Sequence, residues 1–306
     1  VGSRRRPGSR MLEITNEVFK MGISEHAKKE VMAEMLCIAD TDWVLGHWYI
    51  KVMLNGRSLT DCTAFAGMAQ DTLGHTRAMF RYMEEELDLP DHQLEFGRGK
   101  EQLHDMEMLS EPPENWGDFL VSTFLAEIAV WRMLNTFKDS TVADIKGMVK
   151  HFGKELYFHR IGIEGWLKAA DEADRADMRE AVVRRAPLVL AWFDDRDRSG
   201  TDLLMQEGVR SNTVWDARLG FIEDSLGKLT AALGMSDEEL TAIMEKTPEG
   251  EWDPLRRRTS GSSLPATLWE FMIPTDDDTV ALRRPLAVSI DDNLDLFDRP
   301  EYADDD

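Results

Sequence analysis

The sequence lacks several features that would assign it to common functional classes. No apolar run approaches the roughly 20 residues that cross a bilayer, so a membrane partner is not expected. Lys and Arg number 36 against 58 Asp and Glu, with no basic stripe, so nucleic-acid binding is not expected either. The two cysteines, Cys37 and Cys62, have no metal or redox spacing and favour a reducing cytoplasm. Gly-rich phosphate loops, nucleophile elbows and CxxC pairs are also absent, which removes common enzyme signatures.

What the chain has in excess is negative charge, with a formal net charge of −22 at pH 7. Abundant Asp and an excess of Arg over Lys are compatible with a high-salt host. Acidic cytosolic proteins of ordinary hosts share this composition, so both sources stay open. A hydrophobic fraction of 42% is typical of a globular protein and argues against global disorder.

Composition divides the chain into three segments. Residues 1–10 are basic and precede Met11, so we interpret them as a vector-derived leader with Met11 as the native start. Residues 11–247 are predicted to form one helical domain. From Pro248 a linker (RRRTSGSSLP), two short extended pieces (LWEFMIP and ALRRPLAVSI) and an acidic end predict an irregular tail over 248–306.

Helical periodicity dominates from residue 13 to about 245, with almost none of the alternation typical of strands. A connection over 88–117 is rich in Pro and Gly and holds a short helix near 100–109. The order of short loop, long crossover and short loop is typical of ferritin-like bundles. The sequence therefore predicts an all-α, ferritin-like four-helix bundle with extra C-terminal helices. The predicted helices cover 12–53 (interrupted near Gly22 and Ser24), about 60–87, 118–138, 141–170, 172–194, 199–232 and 236–245.

Two stretches of this bundle echo each other. Asp42 precedes His75 on the next helix, and Glu127 precedes His159 at nearly the same separation. Four-helix bundles build carboxylate-bridged two-metal sites from one Glu on each of two helices and a Glu-x-x-His pair on each of the others. Three residues before His75 stands Thr72, and three before His159 stands Leu156. Both of the expected Glu-x-x-His carboxylates are therefore missing.

Two interpretations of these residues stay open. Asp71 precedes His75 by four positions, and Glu155 precedes His159 likewise, so each pair shares a helix face. The acids could be substitute metal ligands, or they could orient the histidines from outside a metal site. Alternatively the core binds no metal and is filled by hydrogen-bonded acids and histidines. Three further histidines lack such spacing and are expected at the surface or in loops: His47, His104 and His151.

At these residues the sequence resembles a known family, the ferritin-like subunits of the bacterial multicomponent phenylacetyl-CoA epoxidase (the PaaA/PaaC phenylacetic acid catabolic family). The resemblance covers about residues 30 to 170. Its most specific stretch is FAGMAQDTLGHTRAMFRYMEEEL, because family members carry a similar Asp-Glu-x-Gly-His sequence. CIADTDWVLGHW, FLAEIAVWRML and GKELYFHRIGIEGWL carry it on the other three bundle helices.

The resemblance implies roles for individual residues. Four of them fall on the family's metal-ligand positions, which hold di-iron (Fe) in the catalytic subunit: Asp42, His75, Glu127 and His159. Thr72 and Leu156 fall where that subunit has its two remaining glutamates. Asp71 and Glu155 fall where the ligand-depleted structural subunit also has acids. The chain is therefore more similar to the structural, PaaC-type subunit.

The resemblance implies a subunit, structural rather than catalytic, of a di-iron monooxygenase that epoxidises an aromatic acyl-CoA such as phenylacetyl-CoA. Its expected partners are a homologous catalytic bundle subunit and a reductase component, in a hetero- or homo-oligomer. One alternative is a metal-binding oxidase or oxygenase that uses the four ligand-position residues itself. A second alternative is a non-catalytic ferritin-like interaction protein without acyl-CoA chemistry.

Overall fold

The computed structural model describes residues 22–193 and 200–273. The N-terminal part forms four long helices and one short helix: α1 (Glu25–Val52), α2 (Leu59–Glu86), α3 (Gln93–Phe96), α4 (Trp116–Asn135) and α5 (Ala143–Ala169). The rest of the described chain adds α6 (Glu172–Trp192), α7 (Leu203–Gln206), α8 (Val214–Phe221), α9 (Gly227–Ala232), α10 (Asp237–Glu245), β1 (Trp252–Asp253), β2 (Arg258–Thr259) and α11 (Ala266–Met272). The all-α, ferritin-like bundle predicted from the sequence is confirmed, with α1, α2, α4 and α5 as its four helices.

Side-chain caps fix where three of the four bundle helices begin. Ser24 accepts a hydrogen bond from the Ala27 amide at the start of α1, and Ser58 accepts one from the Asp61 amide at the start of α2. Such caps satisfy amide donors that the first helical turn leaves without partners. Asn115 does the same for α4. The connection between α2 and α4 holds α3 and two 3₁₀ turns, Lys100–Gln102 and Glu107–Ser110, in place of the single helix predicted near 100–109.

Helix α4 lies at the centre of the core. Every residue of 117–130 in this helix is buried, so it is covered around its whole circumference. It packs against α1 and α5 within the bundle and against α6 and α8 on the far side. The extra C-terminal helices therefore close the core beside α4 and leave the four bundle helices around one interior.

The single long helix predicted over 199–232 is wrong for the part that the structure describes. Gly208 has a φ of +72°, a conformation that favours glycine and ends the short α7 segment. Thr213 then caps α8 with a reciprocal hydrogen bond to Asp216, and a π turn at Ile222–Leu226 separates α8 from α9. The apolar periodicity of this region is helical throughout, and only these local interruptions divide it.

The segment interpreted as a linker after Pro248 is anchored to the bundle at two arginines. β1 and β2 form an antiparallel hairpin, and Arg257 Nη2 at its turn lies 2.7 Å from Glu34 Oε1 of α1. Arg258 forms a fully buried ion pair with Asp105. In the sequence these arginines look like a solvent-exposed charged segment, because the acids that pair with them, Glu34 and Asp105, are distant along the chain.

A second compact unit begins at Leu264. Within it the LWEFMIP stretch, predicted as extended, is helical over α11. The predicted leader at 1–10, the ALRRPLAVSI piece and the acidic tail lie outside the described residues. Among the described residues, no helix has both the length and the apolarity to cross a bilayer.

Candidate site in the bundle core

Each bundle helix contributes one side chain to a buried polar centre. Asp42 comes from α1, His75 from α2, Glu127 from α4 and His159 from α5, and each is at most 4% exposed. The structure brings these four predicted residues together in two pairs. His75 Nδ1 lies 3.8 Å from Asp42 Oδ2, and His159 Nδ1 lies 3.0 Å from Glu127 Oε1. The echo in the sequence therefore corresponds to two adjacent acid–imidazole pairs in one interior.

Both ring nitrogens of His159 contact carboxylates. Nδ1 donates to Glu127 Oε1 at 3.0 Å, and Nε2 donates to Asp71 Oδ2 of α2 at 3.2 Å. Burial disfavours the charged ring, but the negative charges and hydrogen bonds of Glu127 and Asp71 outweigh it and raise the pKa of His159 to about 9. His159 is therefore an imidazolium at neutral pH that connects three helices.

His75 has the opposite charge preference. Its Nε2 donates to Glu155 Oε2 of α5 at 2.6 Å. Burial nevertheless lowers the pKa of His75, and the bond to Glu155 opposes this only in part. A neutral ring that donates from Nε2 turns a bare lone pair at Nδ1 towards Asp42.

Asp42 is suited to face that lone pair. Burial, together with the neighbouring charge of Glu127, raises the pKa of Asp42 well above its usual range. Burial therefore favours the protonated, neutral form of Asp42, whose Oδ2 lies 3.8 Å from His75 Nδ1 without a hydrogen bond between them. One pair is thus ionic and the other neutral, because the two acids differ in the donors around them.

A third donor at the centre was missed in the sequence. Tyr49 is fully buried on α1, and its hydroxyl donates to Glu127 Oε1 at 2.8 Å. Its position in the sequence could have indicated this role, because Tyr49 follows Asp42 by two helical turns and so lies on the same face of α1. Burial and the charge of Glu127 raise the pKa of Tyr49 well above its usual range, so the phenol stays protonated and holds the carboxylate.

Two other polar residues near these sequences have different roles. Asp40 accepts two hydrogen bonds from Arg98, at 2.6 and 2.8 Å, and one from the His104 amide, so it ties the long crossover to α1. His47, expected at the surface, is 6% exposed within α1, and its Nδ1 bonds to Trp43 O at 2.7 Å. His47 is buried because every residue of 37–49 in α1 is buried, so this part of the helix has no exposed face.

The residues at the centre do not fit a carboxylate-bridged pair of irons. Such a site needs imidazole lone pairs and bridging carboxylates. Both nitrogens of His159 and Nε2 of His75 are occupied by carboxylates from other helices. The bridging positions hold the Thr72 hydroxyl and the Leu156 hydrocarbon, both buried. Within the part of the chain that the structure describes, no group of three or more His, Cys, Asp or Glu side chains could hold a metal ion.

The centre nevertheless retains polar capacity. Four buried atoms around it have no hydrogen-bond partner: Asp42 Oδ2, Thr72 Oγ1, His75 Nδ1 and Glu127 Oε2. A cavity of about 220 Å³ adjoins Glu127 and Leu156 and is lined by Trp131 and Tyr157 among others. Glu127, which has an unpartnered buried oxygen, therefore also lines a cavity.

Comparison with known proteins agrees with this architecture. The family model described as phenylacetic acid catabolic protein (PaaA_PaaC) matches residues 20–254, which include all four bundle helices and every residue of the polar centre. No curated protein matches the chain. Because the match spans most of the sequence, the chain belongs to the phenylacetic acid catabolic protein family.

Proposed function

We propose that this protein is the structural partner of a separate catalytic bundle subunit, in a multicomponent monooxygenase that epoxidises an aromatic acyl-CoA such as phenylacetyl-CoA. Membership of the family supports a ferritin-like subunit of phenylacetate catabolism. In the proposed complex the homologous subunit holds di-iron and carries out the oxygen chemistry. A reductase component supplies electrons, and the complex works in the cytoplasm.

The observation that carries the proposal is the way the two imidazoles are held. His75 joins α2 to α5 through Glu155, and His159 joins α5 to both α4 and α2. A bridging metal would connect the same helices, so the acid–imidazole pairs replace its structural contribution. The chain thereby keeps the bundle shape that a homologous partner can recognise, while its donor set does not suit two irons.

Metal content distinguishes this function from that of an independent oxidase or oxygenase. The purified protein is incubated anaerobically with ferrous iron, desalted, and assayed for bound metal by mass spectrometry. A structural subunit binds well below one iron per chain. Close to two irons per chain, lost in His75→Ala and His159→Ala variants that remain folded, would instead support catalysis through Asp42, His75, Glu127 and His159.

Co-purification from the native host distinguishes the structural subunit from a ferritin-like interaction protein outside acyl-CoA chemistry. A tagged copy of this chain is expected to bring a second bundle protein that binds two irons per chain. Epoxidation of phenylacetyl-CoA should require both proteins and a reductase. Two results together would rule the proposal out. These are recovery of this chain without a second bundle protein, and full epoxidase activity in a host from which this chain has been removed.

A further inference from the structure

Three large apolar side chains lie exposed together on the outer side of α5. Tyr157 is 52% exposed, Phe158 69% and Ile161 48%. The rings of Tyr157 and Phe158 meet edge to face with their centroids 5.5 Å apart, and Ile161 follows Phe158 by one helical turn. Single exposed apolar residues are ordinary, whereas a contiguous group is typical of a surface that another molecule covers. We call these three residues, with Lys150 and Lys154 beside them, the α5 face.

The charge of α5 contrasts with that of the whole chain. The net charge is −22, yet the exposed residues of α5 include four lysines and one acid, Asp144 in the first turn. The two half-exposed acids of the helix are already paired, Glu155 with His75 and Glu164 with Arg160. Three of the lysines follow one another at four-residue steps and form no ion pair with a described residue: Lys146, Lys150 and Lys154. The α5 face therefore favours a partner with an acidic contact surface.

A cavity adjoins the α5 face between α5 and α4. Tyr157 lines it together with Trp131 and Gly153, and its volume is about 220 Å³. A Cβ at Gly153 would lie 2.7 Å from the Trp131 ring, so the glycine lets this ring lie against α5. A cavity of about 150 Å³ is large enough to hold benzene. One aromatic side chain of another protein therefore fits here.

A buried acid at the cavity wall lacks a donor. Glu127 Oε1 accepts hydrogen bonds from Tyr49 and His159, whereas Oε2 has no partner within the described structure. Glu127 is only 3% exposed, and a buried carboxylate oxygen without a donor is destabilising. A tyrosine or tryptophan entering the cavity would supply both a ring and a donor, and these residues are common anchors of protein interfaces.

We propose that the α5 face is the docking site of the catalytic bundle subunit, an assignment that rests on the function proposed above. The partner inserts a tyrosine or tryptophan into the cavity beside Glu127 and covers Phe158 and Ile161 with apolar side chains. Its acids lie opposite Lys150 and Lys154. A second copy of this chain suits the face less well, because two paired α5 helices would set four exposed lysines on each copy against a single exposed acid on the other.

The experiment uses the second bundle protein that co-purifies with a tagged wild-type chain from the native host. Its binding to separately purified variants of this chain is measured by biolayer interferometry, after circular dichroism has established that each variant is folded. Phe158→Ser should weaken binding by about tenfold or more. Val183→Ser, at a 43% exposed residue of α6, is the matched control and should change binding less than about twofold.

Charge reversal tests the lysines of the α5 face. Lys154→Glu should weaken binding by about fivefold or more at low salt, and by less at high salt, because salt screens the attraction to the partner's acids. Lys228→Glu, at an exposed lysine outside α5, is the matched control and should change binding less than about twofold. Equal effects of the two charge reversals would overturn the proposal.

Occupancy of the cavity is measured at Trp131 by ¹⁹F NMR. The full chain is labelled with 5-fluorotryptophan, and the signals of Trp131 and Trp215 are assigned by their loss in Trp131→Phe and Trp215→Phe. Unlabelled partner should shift the Trp131 signal. The signal of Trp215, which lies on α8 and does not line the cavity, should stay in place.

Failure of the docking site and failure of the proposed function give different results. If the wild type recovers no second bundle protein, the proposed function is contradicted, and the docking site with it. If the partner is recovered but Phe158→Ser binds it as tightly as Val183→Ser does, or the Trp131 signal does not move, only the docking site is overturned. It is also overturned if light scattering shows a dimer of the wild type alone that Phe158→Ser converts to a monomer, because the α5 face then binds a second copy.

Discussion

His159 Nδ1 on α5 lies 3.0 Å from Glu127 Oε1 on α4, so a buried ion pair joins two helices of the bundle interior. The same ring contacts Asp71 on α2 through its other nitrogen. His159 is therefore held by acids on two other helices of the bundle.

Stability should depend on pH through His159. Its pKa is about 9 in the folded protein, against about 6.5 in an unfolded chain. Because the folded value is the higher one, the stabilisation is complete below about pH 6.5 and is lost as the pH rises through about 9. Linkage sets its size on the order of 3 kcal/mol.

The measurement is the free energy of unfolding from pH 6 to pH 10, for the wild type and for His159→Gln. The difference in unfolding free energy between the wild type and His159→Gln should shrink as the pH rises, because only the wild type has an imidazole ring at this position to deprotonate. The lowered pKa of His75 has the opposite effect on stability. Below about pH 6.5 the ring takes up a proton more readily in the unfolded chain than in the folded protein, so acid also lowers the free energy of unfolding. A constant difference across this range would contradict the assignment of His159 as an imidazolium.

Tyr49→Phe should destabilise the protein although the ring is retained. The substitution removes the hydroxyl that donates to Glu127, and a buried carboxylate that loses a donor costs about 1–3 kcal/mol. Tyr157→Phe is the matched control, because Tyr157 is 52% exposed, and it should change stability by less than about 0.5 kcal/mol. Urea unfolding of the two variants tests this prediction, and equal midpoints would contradict it.

Arg185→Leu should be among the most destabilising substitutions. Arg185 is fully buried on α6, where it donates to both oxygens of Asp118 on α4 and to the carbonyl oxygens of Met108 and Glu111. Its removal leaves the Asp118 charge buried and costs about 3–5 kcal/mol. Arg184 contacts the same carboxylate from a half-exposed position, so Arg184→Leu should cost no more than about 1 kcal/mol. Thermal unfolding of both variants is the measurement, and similar melting temperatures would refute the difference in their roles.

Restoring the missing carboxylates should restore iron binding. In the double variant Thr72→Glu with Leu156→Glu, each of the two histidines gains a carboxylate three residues before it, which gives the Glu-x-x-His pairs of two-metal bundles. Bound iron after anaerobic incubation should rise towards two per chain, because bridging carboxylates compensate for the disruption of the acid–imidazole pairs. Thr72→Gln with Leu156→Gln has nearly the same size without the charges and should bind as little iron as the wild type. Circular dichroism establishes that each variant is folded before its metal is counted, and no gain over the glutamine control would contradict this prediction.

The sequence predicted the bundle well because its helices carry a long apolar periodicity and are separated by turn residues. The same patterns failed where a local interruption ends a helix. Gly208 and Thr213 are such interruptions, and they divide the single helix predicted over 199–232. They also gave no indication of the ion pairs that Arg257 and Arg258 form with acids far away in the chain. Local composition contains no information on such distant partners.

By itself the sequence determined which residues reach the bundle interior, since helical spacing places four of them on inward faces: Asp42, His75, Glu127 and His159. It also determined that Thr72 and Leu156 offer no carboxylate to bridge a metal. Only the tertiary structure decided how the acids and imidazoles pair, which pair is charged, and that Tyr49 joins them. The physical reason is that spacing along a helix fixes direction, whereas pairing and protonation depend on distances of a few ångströms between helices and on the loss of water around each group.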